Sequence, residues 1–337
     1  MKVLVTGGAG YIGSHTCVEL LKAGHEVFVV DNLCNGHESA LERVRGITNC
    51  ELQFMNADIR DTNALHKIFK NFTPEAVIHF AGLKAVGESV TNPLMYYDVN
   101  VGGSISLLTA MTNAECKNIV FSSSATVYGK PQYLPYDEAH QTNPVNPYGR
   151  TKLIIENMIN DWTGIDPERK GTILRYFNPI GAHKSGQIGE EPNGVPNNLM
   201  PFIAQVAVGR REFLSVYGKD YETVDGTGAR DYVHVVDLAI AHIKSIHVSS
   251  KLKGHKVLNI GSGTGITVLE LIKSFEKVSG VNIKHKYMPR RSGDLDAFWA
   301  DSARAMELIN WRTKLTIDNM CEDTWLWQRK NPNGYDK

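Results

Sequence analysis

Tyr148 and Lys152 stand four residues apart in the run from Asn143 to Lys152, with Pro147 immediately ahead of the tyrosine. Proline suits the first turn of a helix, and residues four apart share a helix face. A phenol ionises near about pH 10. A neighbouring ammonium favours the phenolate and brings that ionisation toward neutrality, which makes Tyr148 a usable general base. Alone, such a pair is also an ordinary surface contact. Ser122, Ser123 and Ser124 close the apolar stretch Asn118–Phe121, and in a parallel sheet chemistry gathers at the carboxyl ends of the strands. The serine cluster either hydrogen-bonds a substrate hydroxyl or only caps a loop.

For these groups to meet, the chain must supply a sheet, and its first residues read as the start of one. Lys2–Thr6 is apolar and β-branched, Gly7, Gly10 and Gly13 recur every third residue, and a helical pattern follows from Ile12 to Leu21. Strand, glycine turn and helix in that order predict a dinucleotide site. Gly7 supplies positive φ for the tight turn. Gly10 keeps side chains away from a diphosphate, and Gly13 lets helix and strand pack closely. The helix N-terminus at Tyr11 and Ile12 offers unpaired donors to the anion. Glu26–Val30 reads as a second buried strand ending at Asp31. An acid about 20 residues past the glycines accepts from the adenosine ribose and repels a 2′-phosphate. NAD is therefore expected over NADP, with Asn32, Asn35 and Gly36 near the same ribose.

A third strand, Glu51–Met55, leads into Asp58-Ile59-Arg60-Asp61. Asp58 is expected to face the ligand there, and Asp61 to cap a helix carrying Leu65, Ile68 and Phe69. The near-continuous apolar run Ala76–Gly82, including Phe80 and Ala81, predicts a strand covered on both faces. Its end at Gly82 passes close to a cofactor, and Lys84 offers that cofactor a cation. A helix is predicted from Pro93 to Met111, with Asn100 its odd polar member. Thr172–Tyr176 reads as a further strand carrying Phe177 and Asn178. A Gly/Pro/Asn-rich loop from Gly181 to Asn198 marks a change of domain. Leu199 to Arg211 and Asp237 to Val248 read as helices, and Lys256–Gly261 as a strand. The expected fold is α/β: a Rossmann-type doubly wound parallel sheet over residues 1–178 and a smaller C-terminal α/β substrate domain over 179–337. Segments near 231–263 are expected to return to the first domain.

Two domains are also what 337 residues suggest, and 42% hydrophobic residues can bury a large core. The 36 basic and 36 acidic residues cancel, which argues against nucleic acid or an anionic membrane as the main partner. Cys17, Cys34, Cys50, Cys116 and Cys321 are scattered with no C-x-x-C, as in a reducing compartment. Met1 lies one residue from the first strand, leaving no room for a signal peptide, and no apolar run approaches the ~20 residues of a membrane span. A cytoplasmic protein without a metal is expected.

The glycine spacing, Asp31, the serine ending the fifth strand and the Tyr148/Lys152 pair, in this order, resemble the short-chain dehydrogenase/reductase superfamily. The Gly-x-x-Gly-x-x-Gly form is similar to its extended branch, which acts mostly on nucleotide sugars. Further stretches narrow the resemblance to the UDP-glucose 4-epimerase family: Asp31–Leu33, His79–Ser89, Ser122–Gly129, Arg175–His183, Pro196–Pro201, Asp225–Gly228, Arg230–Tyr232 and Pro289–Asp294. It runs from Lys2 to the region of Gln328.

The resemblance implies a homodimer that interconverts UDP-galactose and UDP-glucose through a 4-keto sugar, with NAD tightly held. Tyr148 would remove the 4-OH proton while hydride passes to the nicotinamide. Lys152 would lower the Tyr148 pKa and hold the nicotinamide ribose, and Ser124 would hydrogen-bond the same sugar oxygen. The resemblance carries the glycines, Asp58, Ile59, Phe80, Ala81, Lys84, Asn100, Ser122 and Phe177 to NAD. It carries Asn178, Asn198 and Leu199 to the sugar nucleotide, and the Pro289–Asp294 motif brings Asp294 with it. Arg230 and Arg291 are the candidates for its phosphates, since guanidinium binds phosphate bidentately. Leu214–Gly218, with Tyr217, could lie along a uracil. Phe298 matches a position bordering the sugar pocket, where a large ring leaves little room for an acetamido group; simple packing is the other reading. A sugar-nucleotide 4,6-dehydratase shares the fold but needs acids at the two positions after the strand-five hydroxyl, and here those are Ala125 and Thr126. A reductase would consume free NAD(P)H, and an NAD-binding sensor would have no need of Ser124, Tyr148 and Lys152.

Overall fold

The computed structural model of the chain describes residues 1–194, 196, 198–291 and 294–335. Asn197, Ser292 and Gly293, which belong to two of the quoted motifs, lie outside the described residues. Six strands come first in the chain: β1 (Lys2–Thr6), β2 (Glu26–Asp31), β3 (Gln53–Asn56), β4 (Ala76–His79), β5 (Asn118–Ser124) and β6 (Lys170–Tyr176). With the late strand Gly254–Ile260 they form a seven-stranded sheet, in the order Gly254–Ile260, β6, β5, β4, β1, β2, β3. Every pairing in it is parallel.

Helices cover both faces, which is why β1 and β4 read as apolar runs without alternation. The strand order reverses between β1 and β4. Such a switch opens a crevice at the carboxyl ends of the strands, where ligands bind in folds of this kind.

The second half does not separate cleanly from the first. One buried core joins Val3 and Val29 to Val233, Leu258 and Trp327. The helix Val235–Val248 belongs to this core, while Met200, Leu214, Phe275 and Met320 form another beneath the smaller unit. That unit is built on the strand Ala229–His234, which pairs with Asn178–Ile180, Gly265–Thr267 and Ala297–Phe298. A separate parallel pair joins Leu214–Tyr217 to His285–Met288.

Two helices differ from their predicted form. The run expected from Pro93 to Met111 is helical to Asn113, but Tyr97–Gly102 is a π-helical turn. Asn100 lies in that turn and is buried. Its Oδ1 accepts from the Leu83 amide at 2.7 Å, and its Nδ2 donates to the Leu83 carbonyl and the Thr151 hydroxyl, each at 3.1 Å. The helix expected from Leu199 to Arg211 ends at Ala207, and Gly209 takes a left-handed φ of 79° just beyond it.

Candidate active site

β5 delivers the three serines to the end of the sheet, and the two-residue period of a strand sends them to alternate sides. Ser122 and Ser124 line a cavity of about 1080 Å³, whereas the buried Ser123 hydroxyl meets the Glu156 carboxylate. Ser124 caps a turn, as the second alternative expects, and also lines the cavity. Its Oγ accepts from the Thr126 amide at 3.2 Å and the Thr126 hydroxyl at 3.0 Å, capping the short turn Ala125–Val127, and it still faces the cavity.

The helix Pro147–Ile165 starts behind an Asn146 cap, whose side chain accepts from the Gly149 amide at 2.8 Å, and Pro147 sits in its first turn. It brings Tyr148 and Lys152 to the wall that holds Ser124. Lys152 Nζ donates to the Ser122 carbonyl at 2.7 Å and lies 5.8 Å from the centre of the Tyr148 ring. Burial pushes the Tyr148 phenol up to about 12, and the Ser124 hydroxyl partly offsets this. Burial also lowers Lys152 to about 8, with Glu156 pulling the other way. The Lys152 ammonium is aimed at the Ser122 carbonyl, and burial is the largest influence on both side chains.

The glycine turn forms the far end of the same cavity, where Gly7, Gly10, Tyr11, Ile12 and Gly13 line it. Gly7 has φ 72°, and a Cβ there would lie 2.7 Å from the Ala81 amide. A Cβ on Gly13 would collide with the Gly7 carbonyl. The turn is thus a cradle that only glycine leaves open, facing the first-turn N–H groups of the helix Tyr11–Lys22, which have no partner inside the helix. Its residues fit a diphosphate.

Asp31 ends β2 in the cavity wall. Its carboxylate accepts from the Ala9 amide at 3.0 Å and the Leu33 amide at 2.9 Å, so it also braces the turn. Burial raises its pKa, and those two amides offset the rise. Asp58 lines the cavity too, held ionised chiefly by the Arg60 guanidinium, while Asp61 caps the next helix through the Asn63 and Ala64 amides.

Asn32, Asn35, Ile59, Phe80, Ala81, Gly82, Lys84 and Phe177 join this wall. At the opposite end the cavity is lined by Asn178, Asn198, Tyr217, Arg230, Arg291, Asp294 and Phe298. Arg291 lies 3.9 Å above the Tyr217 ring, and Arg230 lies 4.7 Å above Phe298 and 3.6 Å from Asp294. Of the expected site residues, Asn100 and Leu199 are not in the cavity wall. Asn100 bonds to the loop after β4 and to the helix that carries Tyr148. Glu190, Glu191 and Tyr176 line the cavity, and sequence reasoning passes over them. A pair of acids inside a Gly/Pro/Asn-rich loop was the available signal for the first two; a tyrosine on an apolar strand gave none.

Comparison with known proteins narrows what this cavity serves. A family model described as GDP-mannose 4,6 dehydratase matches residues 4–324. The UDP-glucose 4-epimerase of Yersinia pestis is 52% identical over 336 residues, 99% of each chain. That of Homo sapiens is 53% identical over 341 residues, 99% of this chain and 98% of its own. The chain belongs to the UDP-glucose 4-epimerase family. The crystal structure of the Bifidobacterium longum epimerase, in complex with NAD+ and UDP, matches it with a TM-score of 0.96 at 48% identity, covering 99% of this chain and 100% of that one. Membership of the epimerase family agrees with the positions after Ser124: Ala125 and Thr126 both line the cavity, and neither can donate or take a proton as a dehydratase's acids would.

Proposed function

We infer that this member of the epimerase family interconverts UDP-galactose and UDP-glucose, inverting C4 through a 4-keto sugar with NAD as a resident cofactor. The observation that supports this most is the continuity of the cavity. One space runs from the glycine turn and Asp31, past Tyr148 and Ser124, to Arg230 and Arg291. A C4–H bond is far too weak an acid to be broken by a base alone. NAD, when bound, accepts that hydrogen with its electron pair and returns it. The chain handles the proton: Tyr148 Oη takes it from the sugar 4-OH and later gives it back. Ser124 Oγ offers a hydrogen bond to the same oxygen. Lys152, through Ser122, holds the end of β5 against the helix that carries Tyr148. Arg230 and Arg291 bind the UDP phosphates.

No net oxidation occurs, so incubation with UDP-galactose and no added nucleotide should yield UDP-glucose. Absence of product, or a requirement for stoichiometric NAD(P)H, would overturn the assignment.

Asp31→Ala removes both the acid beside the ribose and a brace of the glycine turn. It should weaken NAD retention and narrow the preference over NADP. Cofactor content after gel filtration measures this, and parent-like retention would exclude the ribose contact.

Phe298 is at once packing and wall, since its ring lies 5.9 Å from Phe177 and also lines the cavity. Little activity on UDP-N-acetylglucosamine is expected of the parent, and more of Phe298→Cys. Efficient epimerisation of the N-acetyl sugar by the parent would show that the ring does not close the pocket.

We also propose a homodimer formed through the helices near Met95 and Leu153; Val90, Leu94, Met95 and Ile105 are exposed in the run around the first. Sedimentation measures the mass. Among the described residues no helix is long and apolar enough to cross a membrane. All five cysteines are free, which supports a cytoplasmic setting.

A further inference from the structure

The loop 181–194, read in the sequence only as a change of domain, reaches across to the cofactor half of the cavity. Its middle is held by the C-terminal segment, where Lys330, Asn331 and Tyr335 donate to the Ser185, Gly186 and Gly189 carbonyls, and its other contacts fall on the first sheet's connections. Tyr11 Oη donates to the Gly181 carbonyl at 2.6 Å, Arg43 to the Gln187 carbonyl at 2.9 Å, and Asn193 Nδ2 to the Cys34 carbonyl at 3.1 Å. Two acids of this loop, Glu190 and Glu191, line the cavity, and the side chain of Glu190 is the more buried. The Glu190 side chain is 8% exposed, and its Oε1 lies 3.3 Å from Lys84 Nζ and accepts from Asn198 Nδ2 at 2.7 Å.

Lys84 follows β4, on the cofactor side. Asn198 stands at the N-terminus of the helix Leu199–Ala207, on the sugar-nucleotide side. A buried carboxylate in the wall of a space meant for diphosphates is costly unless it is paired. Here it is paired from both sides of the cavity at once. Lifting the loop leaves Lys84 and Asn198 without their shared acceptor.

We propose that Glu190 is a positioning residue that ties Lys84 to Asn198, latches the loop 181–194 over the cofactor, and so sets how long the cofactor stays bound. The proposal rests on the reading of NAD as the resident cofactor. Glu190 is the buried member of the pair and Lys84 is 40% exposed, so cutting the tie should show chiefly in how fast the cofactor leaves and little in the stability of the fold.

The test follows nucleotide released from purified, full-length protein after gel filtration, read by absorbance of the filtrate. Glu190→Gln should release it at least about tenfold faster than the parent. Activity lost on standing should return when NAD is added, which an unfolded protein would not show. In a Lys84→Met background the same change should add less than about twofold, because the two side chains act as one unit. Should Glu190→Gln not fold, Asn198→Ala, which cuts the other arm, carries the same expectation of faster release. Release from Glu190→Gln at the parent rate, or effects of Lys84→Met and Glu190→Gln that multiply, would overturn the latch while leaving the proposed function standing. A parent that never carries nucleotide would overturn both.

Discussion

Tyr148→Phe is expected to lower turnover of UDP-galactose by at least about 100-fold, the lower end of what general-base catalysis contributes. The ring stays, so the packing around the start of the helix Pro147–Ile165 is kept; only the oxygen that holds the proton is lost. Cofactor content and the unfolding curve should therefore match the parent. Near-parent turnover would remove Tyr148 from the proton step. Lys152→Ala separates two ways of helping it. If the ammonium assists phenolate formation in the loaded enzyme, the activity profile moves to higher pH, because removing a positive charge makes the phenol harder to ionise. A profile that keeps its pH while activity falls would assign Lys152 to positioning through the Ser122 carbonyl, the contact it makes at 2.7 Å.

Glu156→Ala should destabilise the fold by about 3–5 kcal/mol, the usual cost of removing one partner from a buried ion pair. Glu156 sits one turn beyond Lys152 and is buried with Arg175, whose guanidinium donates to it at 2.5 and 3.0 Å. Arg175 in turn stacks 4.8 Å from the Tyr128 ring, and the Ser123 hydroxyl reaches the same carboxylate. Removing the carboxylate strands a buried guanidinium beneath β5 and the helix that carries the reacting side chains. Against a total stability of about 5–15 kcal/mol for an ordinary domain, that loss is large. Urea unfolding of Glu156→Ala measures it, and a change below about 1 kcal/mol would mean that water reaches Arg175 and that the pair is not desolvated.

Much of the site was legible in the residues alone, because its parts are encoded locally. A glycine every third residue after an apolar strand, an acid at the end of the next strand, and a proline, tyrosine and lysine opening a helix each act through neighbours within a few positions. Short-range geometry is decided by φ, by helix period and by capping, so the sequence determined the parallel α/β sheet, the glycine cradle and the shared face of Tyr148 and Lys152.

What the sequence could not decide is where long side chains aim once several elements converge. The π-turn Tyr97–Gly102 places the Asn100 amide on Leu83 and Thr151, partners that its sequence position does not name. Lys152 shares a helix face with Tyr148, and its ammonium also donates to the Ser122 carbonyl, a contact that no spacing in the sequence reveals. Glu190, an acid in a polar loop, meets Lys84 and Asn198, which stand 106 and 8 positions away in the chain. Hydrogen-bond direction and desolvation depend on every group that packs around a site, and only the tertiary structure brings those groups together.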